Sequence, residues 1–277
     1  MPAKLAYAQW TWGTSTKEQF ITSCKELSSI GYKYFESVRA FIDTFQNDRE
    51  EFKAITDEYD LHPISFYFHF SGDLKQDIED LKKRIDFLSY MGIKTICLQG
   101  CSRKNMSDQV LKDTLKTINE YGAICRNYGI LPSVHPHANT SIMYENEIDF
   151  IMQNTDPALI GFAPDTAHLL VSKCDPVTVC ERYKKRISFT HIKDSKKPDA
   201  SAAGTAVASG GFKDGVEVIC SFLELGKGDV DFDGVFKILK SVDYSGYLCV
   251  ELDTVPVSNI DSARKNLGYM KAHWAGL

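Results

Sequence analysis

The sequence predicts an α/β protein, a single-domain (β/α)8 TIM barrel over residues 1–277, and three observations carry that prediction. Short apolar runs rich in β-branched and aromatic residues alternate eight times with longer segments of helical period, the pattern of repeated βα units. Glycines close several helical segments just before the next strand: Gly31 before Tyr32, Gly92 before Ile93 and Gly129 before Ile130, which are C-cap positions recurring with the βα period. The length of 277 residues suits one such barrel. A doubly wound open sheet also alternates strand and helix, but it seldom spreads eight strands evenly over this length, and no Gly-rich phosphate turn follows the first strand.

The strand candidates are Lys4–Trp10, Tyr32–Ser37, Ile64–Phe70, Thr95–Gln99, Ile130–His135, Leu159–Asp165, Ile187–Lys193 and Tyr247–Leu252. Helical segments follow most of them, including Ser15–Ile30 with Ser15 as the N-cap, Leu74–Met91, Asp108–Tyr128 and Asp233–Ser241. One stretch breaks the rhythm. Residues 195–228 contain ASAAGTAVASGG, too small and polar for a core element. This insertion is expected either as a disordered excursion or as a mobile lid, since it must emerge on the C-terminal face of the barrel.

Composition narrows the function. A net charge of −5 with no basic tract argues against nucleic acid as a partner. No run approaches the roughly 18–20 apolar residues of a bilayer span, and the N-terminal segment runs straight into a strand, unlike a secretory signal. The eight scattered cysteines read as free thiols in a reducing cytoplasm. Cys97 and Cys101 have the spacing of half a zinc site, but no second pair follows.

The informative feature is which polar residues close the apolar runs, because strand ends in a barrel project onto the catalytic face and adjoin the core, where charge is costly. Glu36 ends the second strand, His69 the third, His135 and His137 the fifth, Asp165 with His168 the sixth, His191 with Lys193 and Asp194 the seventh, and Glu251 the eighth. Two imidazoles and two carboxylates from four strands at one rim make a mixed N/O site suited to Mn²⁺, Co²⁺, Fe²⁺, Zn²⁺ or Mg²⁺.

At these residues the chain resembles the xylose-isomerase-like, sugar phosphate isomerase/epimerase superfamily of TIM barrels, and within it most closely the inosose (2-keto-myo-inositol) dehydratases. The matching segments are VHPHANT (Val134–Thr140), EIDFIMQNTDPALIGFAPDTAH (Glu147–His168), RISFTHIKD (Arg186–Asp194), GKGDVDFDGVFKILK (Gly226–Lys240) and YSGYLCVEL (Tyr244–Leu252), with AYAQWTW and YKYFES also fitting near the N-terminus. The resemblance implies a divalent metal, with Mn²⁺ favoured, bound by His135, Asp165, His191 and Glu251. Most of the superfamily has glutamate where His135 stands; the His-Pro-His run leaves His135 and His137 as alternative ligands. Ala167 replaces the glycine of the usual DTGH, which matters only if that turn needs positive φ.

A divalent ion in such a site can chelate a ketone oxygen and a neighbouring hydroxyl and acidify the adjoining C–H. Glu251, Lys193, His168, Glu36 and His69 are the candidates for moving protons. Lys193 shares a strand face with His191 and reads either as a base or neutral donor, or as the partner of Asp165, Asp194 or Glu251. Trp10, Trp12 and His137 are the expected substrate contacts, with Phe66, Phe68 and Phe70 as a further apolar floor. The reading is a cytoplasmic metal-dependent dehydratase of a keto-cyclitol or related keto-sugar, with a homo-oligomer compatible with the resemblance. The alternatives are a ketose 3-epimerase or isomerase, and a 3-keto-glycoside or 3-dehydroshikimate lyase.

Overall fold

The computed structural model describes residues 2–197, 218 and 220–274. Ten strands form among them: β1 (Lys4–Ala8), β2 (Tyr34–Val38), β3 (His62–His69), β4 (Thr95–Gln99), β5 (Leu131–His135), β6 (Gly161–Phe162), β7 (Thr190–Ile192), β8 (Asp194–Ser195), β9 (Phe222–Leu223) and β10 (Tyr247–Val250). All but β8 and β9 make one parallel sheet in the order β6-β5-β4-β3-β2-β1-β10-β7. The two ends meet. Ser188 N donates to Phe162 O (3.0 Å) and His191 N to Pro164 O (2.9 Å), with parallel bridges Phe162↔Ile187 and Asp165↔His191. The sheet is therefore closed, as expected for the barrel.

The period of two along each strand sorts the side chains into two layers. Tyr7, Phe35, Phe66, Phe68, Leu98, Val134, Ile192, Leu248 and Val250 belong to the large core shared with the helices. Their neighbours in sequence make a second, smaller cluster of Ala6, Ala8, Cys97, Ala163, Phe189 and Cys249. The alanines and cysteines of this inner layer leave room for polar groups above them. The expected aromatic floor is thus corrected: Phe66 packs on Phe52 and Phe87, and Phe68 on Tyr121, between sheet and helices.

The helices are α1 (Lys17–Ile30), α2 (Arg39–Thr44), α3 (Arg49–Glu58), α4 (Leu74–Tyr90), α5 (Asp108–Arg126), α6 (Glu145–Gln153), α7 (Thr166–Val171), α8 (Pro176–Tyr183), α9 (Phe232–Ser241) and α10 (Asn259–His273). Thr16, not Ser15, caps α1, because Gln19 completes a capping box with it. Gly31 takes φ 100° at the end of that helix, where a side chain would be strained. No described helix is long and apolar enough to cross a membrane, and all eight cysteines are free.

β6 is the shortest barrel strand because it is crowded and Pro164 cannot donate. A Cβ on Gly161 would lie 2.0 Å from Ser188 Oγ, 2.8 Å from Ser133 Oγ and 2.9 Å from Ser188 Cβ. Gly161→Ala is expected to cost about 1–3 kcal/mol through overpacking, read as a lower urea midpoint with unchanged slope.

The insertion expected over 195–228 is built at its described ends. β8 and β9 pair antiparallel, Asp194 with Leu223 and Ser195 with Phe222. The Asp194 carboxylate accepts from the backbone N–H of Gly226 (2.9 Å) and Gly228 (2.8 Å), so this acid holds the base of the excursion. The remainder of the expected lid, residues 198–217 and 219, lies outside the described residues.

Candidate metal centre and active site

His191 on β7 is the hub of the lumen. Its Nε2 hydrogen-bonds the Glu36 carboxylate on β2, whose other oxygen accepts from Ser65 Oγ at 2.8 Å. That leaves Nδ1 facing His135 Nδ1 at 3.0 Å and Glu251 Oε2 at 3.4 Å. Asp165 joins from the top of the sixth strand and has two jobs: its Oδ1 caps α7, accepting from Ala167 N and His168 N at 2.8 Å each, while Oδ2 is left over.

Buried polar atoms normally find partners. Among the described residues, Asp165 Oδ2, Glu251 Oε2 and His135 Nε2 are buried with no hydrogen-bond partner. The ligand atoms of His135, Asp165 and His191 lie within 4.8 Å of one another, as do those of Asp165, His168 and Glu251, and those of Glu36, His191 and Cys249. Each set can hold a metal ion, and unsatisfied carboxylate and imidazole donors in one lumen suit a divalent one. Glu36 then orients His191 from behind, the role of a carboxylate partnered to a metal-binding imidazole.

Burial pushes the Glu251 carboxyl up to about 8, against the pull of Lys193 and His191. Burial likewise raises Asp165 against the pull of Lys193. For His191 burial works downward, but Glu36 and Glu251 outweigh it and bring the imidazole to about 9. An ion held by His191 Nδ1 and Glu251 would need both without their protons. Below pH 8 the ion must therefore displace them, so affinity is expected to rise with pH from 6 to 9, with release of about one to two protons per ion at pH 7. Calorimetric titration with Mn²⁺ in buffers of different ionisation enthalpy checks this; a pH-independent affinity would contradict it.

This donor set in a closed parallel barrel invites comparison with known proteins. A family described as xylose isomerase-like TIM barrel matches residues 24–273. The chain belongs to that family. Curated relatives of this xylose isomerase-like barrel include the inosose dehydratase of Clostridium perfringens (strain 13 / Type A), 29% identical over 275 residues, with 92% of this chain and 90% of that protein covered. The inosose dehydratase of Lactiplantibacillus plantarum is 32% identical over 172 residues, 60% of this chain and 55% of that protein; this match thus spans about half the relative's length. Solved structures of the same fold include a D-allulose 3-epimerase from Methylomonas sp. (TM-score 0.77, 17% identity, 98% of both chains). A probable 3-DHS dehydratase AsbF from Bacillus anthracis (0.74, 14%, 96% and 98%) and an IOLI protein with a bound zinc atom (0.75, 14%, 96% and 95%) share it as well.

The structure of this xylose isomerase-like barrel brings most of the sequence candidates together and separates the rest. His135, Asp165, His191, Glu251, Lys193, His168 and Glu36 are all buried in the lumen. His137, half-buried, lies tilted against His168 with ring centroids 3.5 Å apart, and its Nδ1 lies 2.7 Å from the Ala138 carbonyl. A carbonyl only accepts, so Nδ1 carries the proton and Nε2 keeps a lone pair. Burial and the nearby Lys193 charge bring this ring down to about 4.

Trp10 packs edge-on against His191 (6.0 Å) and beside Tyr67 (5.6 Å), forming part of the site wall. Trp12 is corrected: it is core, packed on Tyr7 at 5.8 Å with its indole N–H donated to Glu26 at 2.7 Å. β1 stops at Ala8 and residues Gln9–Trp12 form a 3₁₀ turn, so the alternation expected for a strand does not reach the two tryptophans. His69 is also corrected. It is exposed at the end of β3, with Nε2 2.9 Å from the Arg39 guanidinium, two residues past Tyr67, which takes the lumen position beside His135 (5.2 Å). Ala167 lies inside α7 and is not among the positive-φ residues, so the missing glycine carries no strain.

Lys193 resolves to the ion-paired reading. Its Nζ donates to Glu251 Oε1 at 2.6 Å and Asp253 Oδ1 at 2.8 Å; burial lowers its pKa, but Asp253, Glu251 and Asp165 outweigh that and hold it above the ordinary lysine value. Asp253 was missed in the sequence, although it stands two residues past Glu251, the spacing that keeps a strand face.

Proposed function

We propose that this barrel is a metal-dependent carbon–oxygen lyase that removes water from a keto-cyclitol or closely related keto-sugar, with Mn²⁺ as the working ion. The observation that supports the reading is the set of buried lumen atoms without a hydrogen-bond partner on Asp165, Glu251 and His135, with Asp165 grouped both with His135 and His191 and with His168 and Glu251, in a chain aligned over 92% of its length with a protein named inosose dehydratase. A divalent ion held by His135, Asp165, His191 and Glu251 would supply Lewis-acid polarisation of a substrate carbonyl.

The chain's own residues divide the remaining work. Water loss needs a base for the α-proton and a donor for the departing hydroxyl. His137, fixed as the Nδ1–H tautomer, presents Nε2 as the acceptor, with the His168 ring against it. The Lys193 ammonium, its N–H bonds engaged by Glu251 and Asp253, favours departure of the hydroxyl by its charge rather than by giving up a proton. Trp10 offers an apolar face to ring C–H groups. Histidine at position 135 in place of the superfamily's glutamate removes the second carboxylate that a symmetric epimerisation would use, which favours elimination.

The test is incubation of Mn²⁺-loaded protein with inososes, ketohexoses and 3-keto-glycosides, with products read by mass and NMR. A product lighter by one water from an inosose is expected. Interconversion of two ketose epimers with no lighter product would replace this reading with the epimerase one.

A further inference from the structure

Two of the metal-type clusters in the lumen share Asp165. One is completed by His135 and His191, the other by His168 and Glu251. The second is already filled by a cation of the chain's own. Lys193 Nζ lies 2.6 Å from Glu251 Oε1 and 2.8 Å from Asp253 Oδ1, so two N–H bonds of one ammonium meet carboxylate acceptors, with His168 Nε2 3.3 Å away. The Phe222 ring covers the remaining side, 3.8 Å from Nζ to its centroid. Lys193 is fully buried, and Phe222 comes from β9, at the base of the insertion, so the position is closed from above as well.

We propose that the Lys193 ammonium is a built-in substitute for a second divalent ion, so that the lumen accepts one metal at His135, Asp165, His191 and Glu251, and removing the lysine opens a second metal site beside His168 and Asp253 that shares Asp165 and Glu251 with the first. The charges agree. Glu36 lies apart, its carboxylate held by hydrogen bonds to His191 and Ser65, and the carboxylates of Asp165, Glu251 and Asp253 around the two cation positions are balanced by one divalent ion and one ammonium. A second divalent ion beside the retained ammonium would leave an uncompensated excess of positive charge in a buried site. With the ammonium gone, the Glu251 and Asp253 carboxylates stand around a vacated cation position with the His168 ring beside them, oxygen donors that take the same hard divalent ions.

The inference rests on the proposal that the barrel is metal-dependent, and ion counting separates the two. Protein stripped with chelator is titrated with Mn²⁺, with bound ions counted by mass spectrometry and the spin coupling between ions read by EPR. Wild type is expected to bind one ion per chain with an uncoupled signal. Lys193→Ala is expected to bind two with a coupled signal, and Lys193→Ala/Asp253→Ala to weaken the second ion at least tenfold. Two tight ions in wild type, or one in Lys193→Ala, would overturn the inference while leaving metal dependence standing; no ion in wild type would overturn both. Should Lys193→Ala not survive stripping, the count is made on protein expressed and purified in Mn²⁺, where two ions per chain support the inference and one overturns it.

Discussion

Asp165→Asn is expected to leave the barrel folded, to lose bound metal and to lower turnover by about a thousandfold, the several kcal/mol that Lewis-acid stabilisation supplies. The choice of asparagine follows from the two jobs of this side chain. Oδ1 caps α7 through Ala167 N and His168 N, and an amide oxygen accepts those bonds as well as a carboxylate does. Oδ2 is the unpartnered atom, and an NH₂ in its place offers no lone pair to an ion. Asp165→Ala would also remove the cap, adding a stability loss of about 1 kcal/mol, so comparing the two variants separates fold from site. Metal content by mass spectrometry, turnover and a thermal melt decide the matter. Full metal content and wild-type turnover in Asp165→Asn would remove this residue from the ligand set.

The barrel was legible because its physics is periodic. Strands buried on both faces alternate with amphipathic helices, and glycines such as Gly31 end helices where a left-handed residue is needed. The site was legible because a charge at the end of an apolar run is costly without a purpose, and Asp165, His191 and Glu251 carry that signal plainly. Depth along a strand is what the pattern does not give. Tyr67 and His69 share a face by the period of two, yet one more step of roughly 6–7 Å along the strand separates a lumen residue from an exposed one. Glu36 reads as a strand-end acid at the mouth; it sits instead behind His191, held by Ser65, where it orients the imidazole. Trp10 and Trp12 part company at a 3₁₀ turn whose entry no residue type announces. Asp253 lies past the last strand, where its contact with Lys193 depends on how the loop leaves the barrel.

Lys193→Met is expected to destabilise the metal-free protein by about 3–5 kcal/mol, the usual consequence of stripping one partner from a buried charge set. Methionine fills much of the same volume, so the loss is electrostatic more than a cavity effect. Glu251, buried, and Asp253, 19% exposed at its side chain, would lose the donor that now sits 2.6 and 2.8 Å away. The pH dependence gives the signature. Burial already pushes Glu251 up to about 8 against the attraction of Lys193, and without that attraction its pKa rises further. A carboxyl whose folded pKa lies above its unfolded value stabilises the fold at low pH and loses that contribution as pH rises toward the folded pKa. The variant should therefore fall short of wild type only modestly at pH 5, where Glu251 holds a proton in both, and most at pH 9, where wild type ionises Glu251 beside Lys193 while the variant must keep it protonated against solvent. Urea denaturation of both proteins across that range measures the difference directly; a gap that stays constant or narrows from pH 5 to 9 would show that Lys193 does not neutralise Glu251.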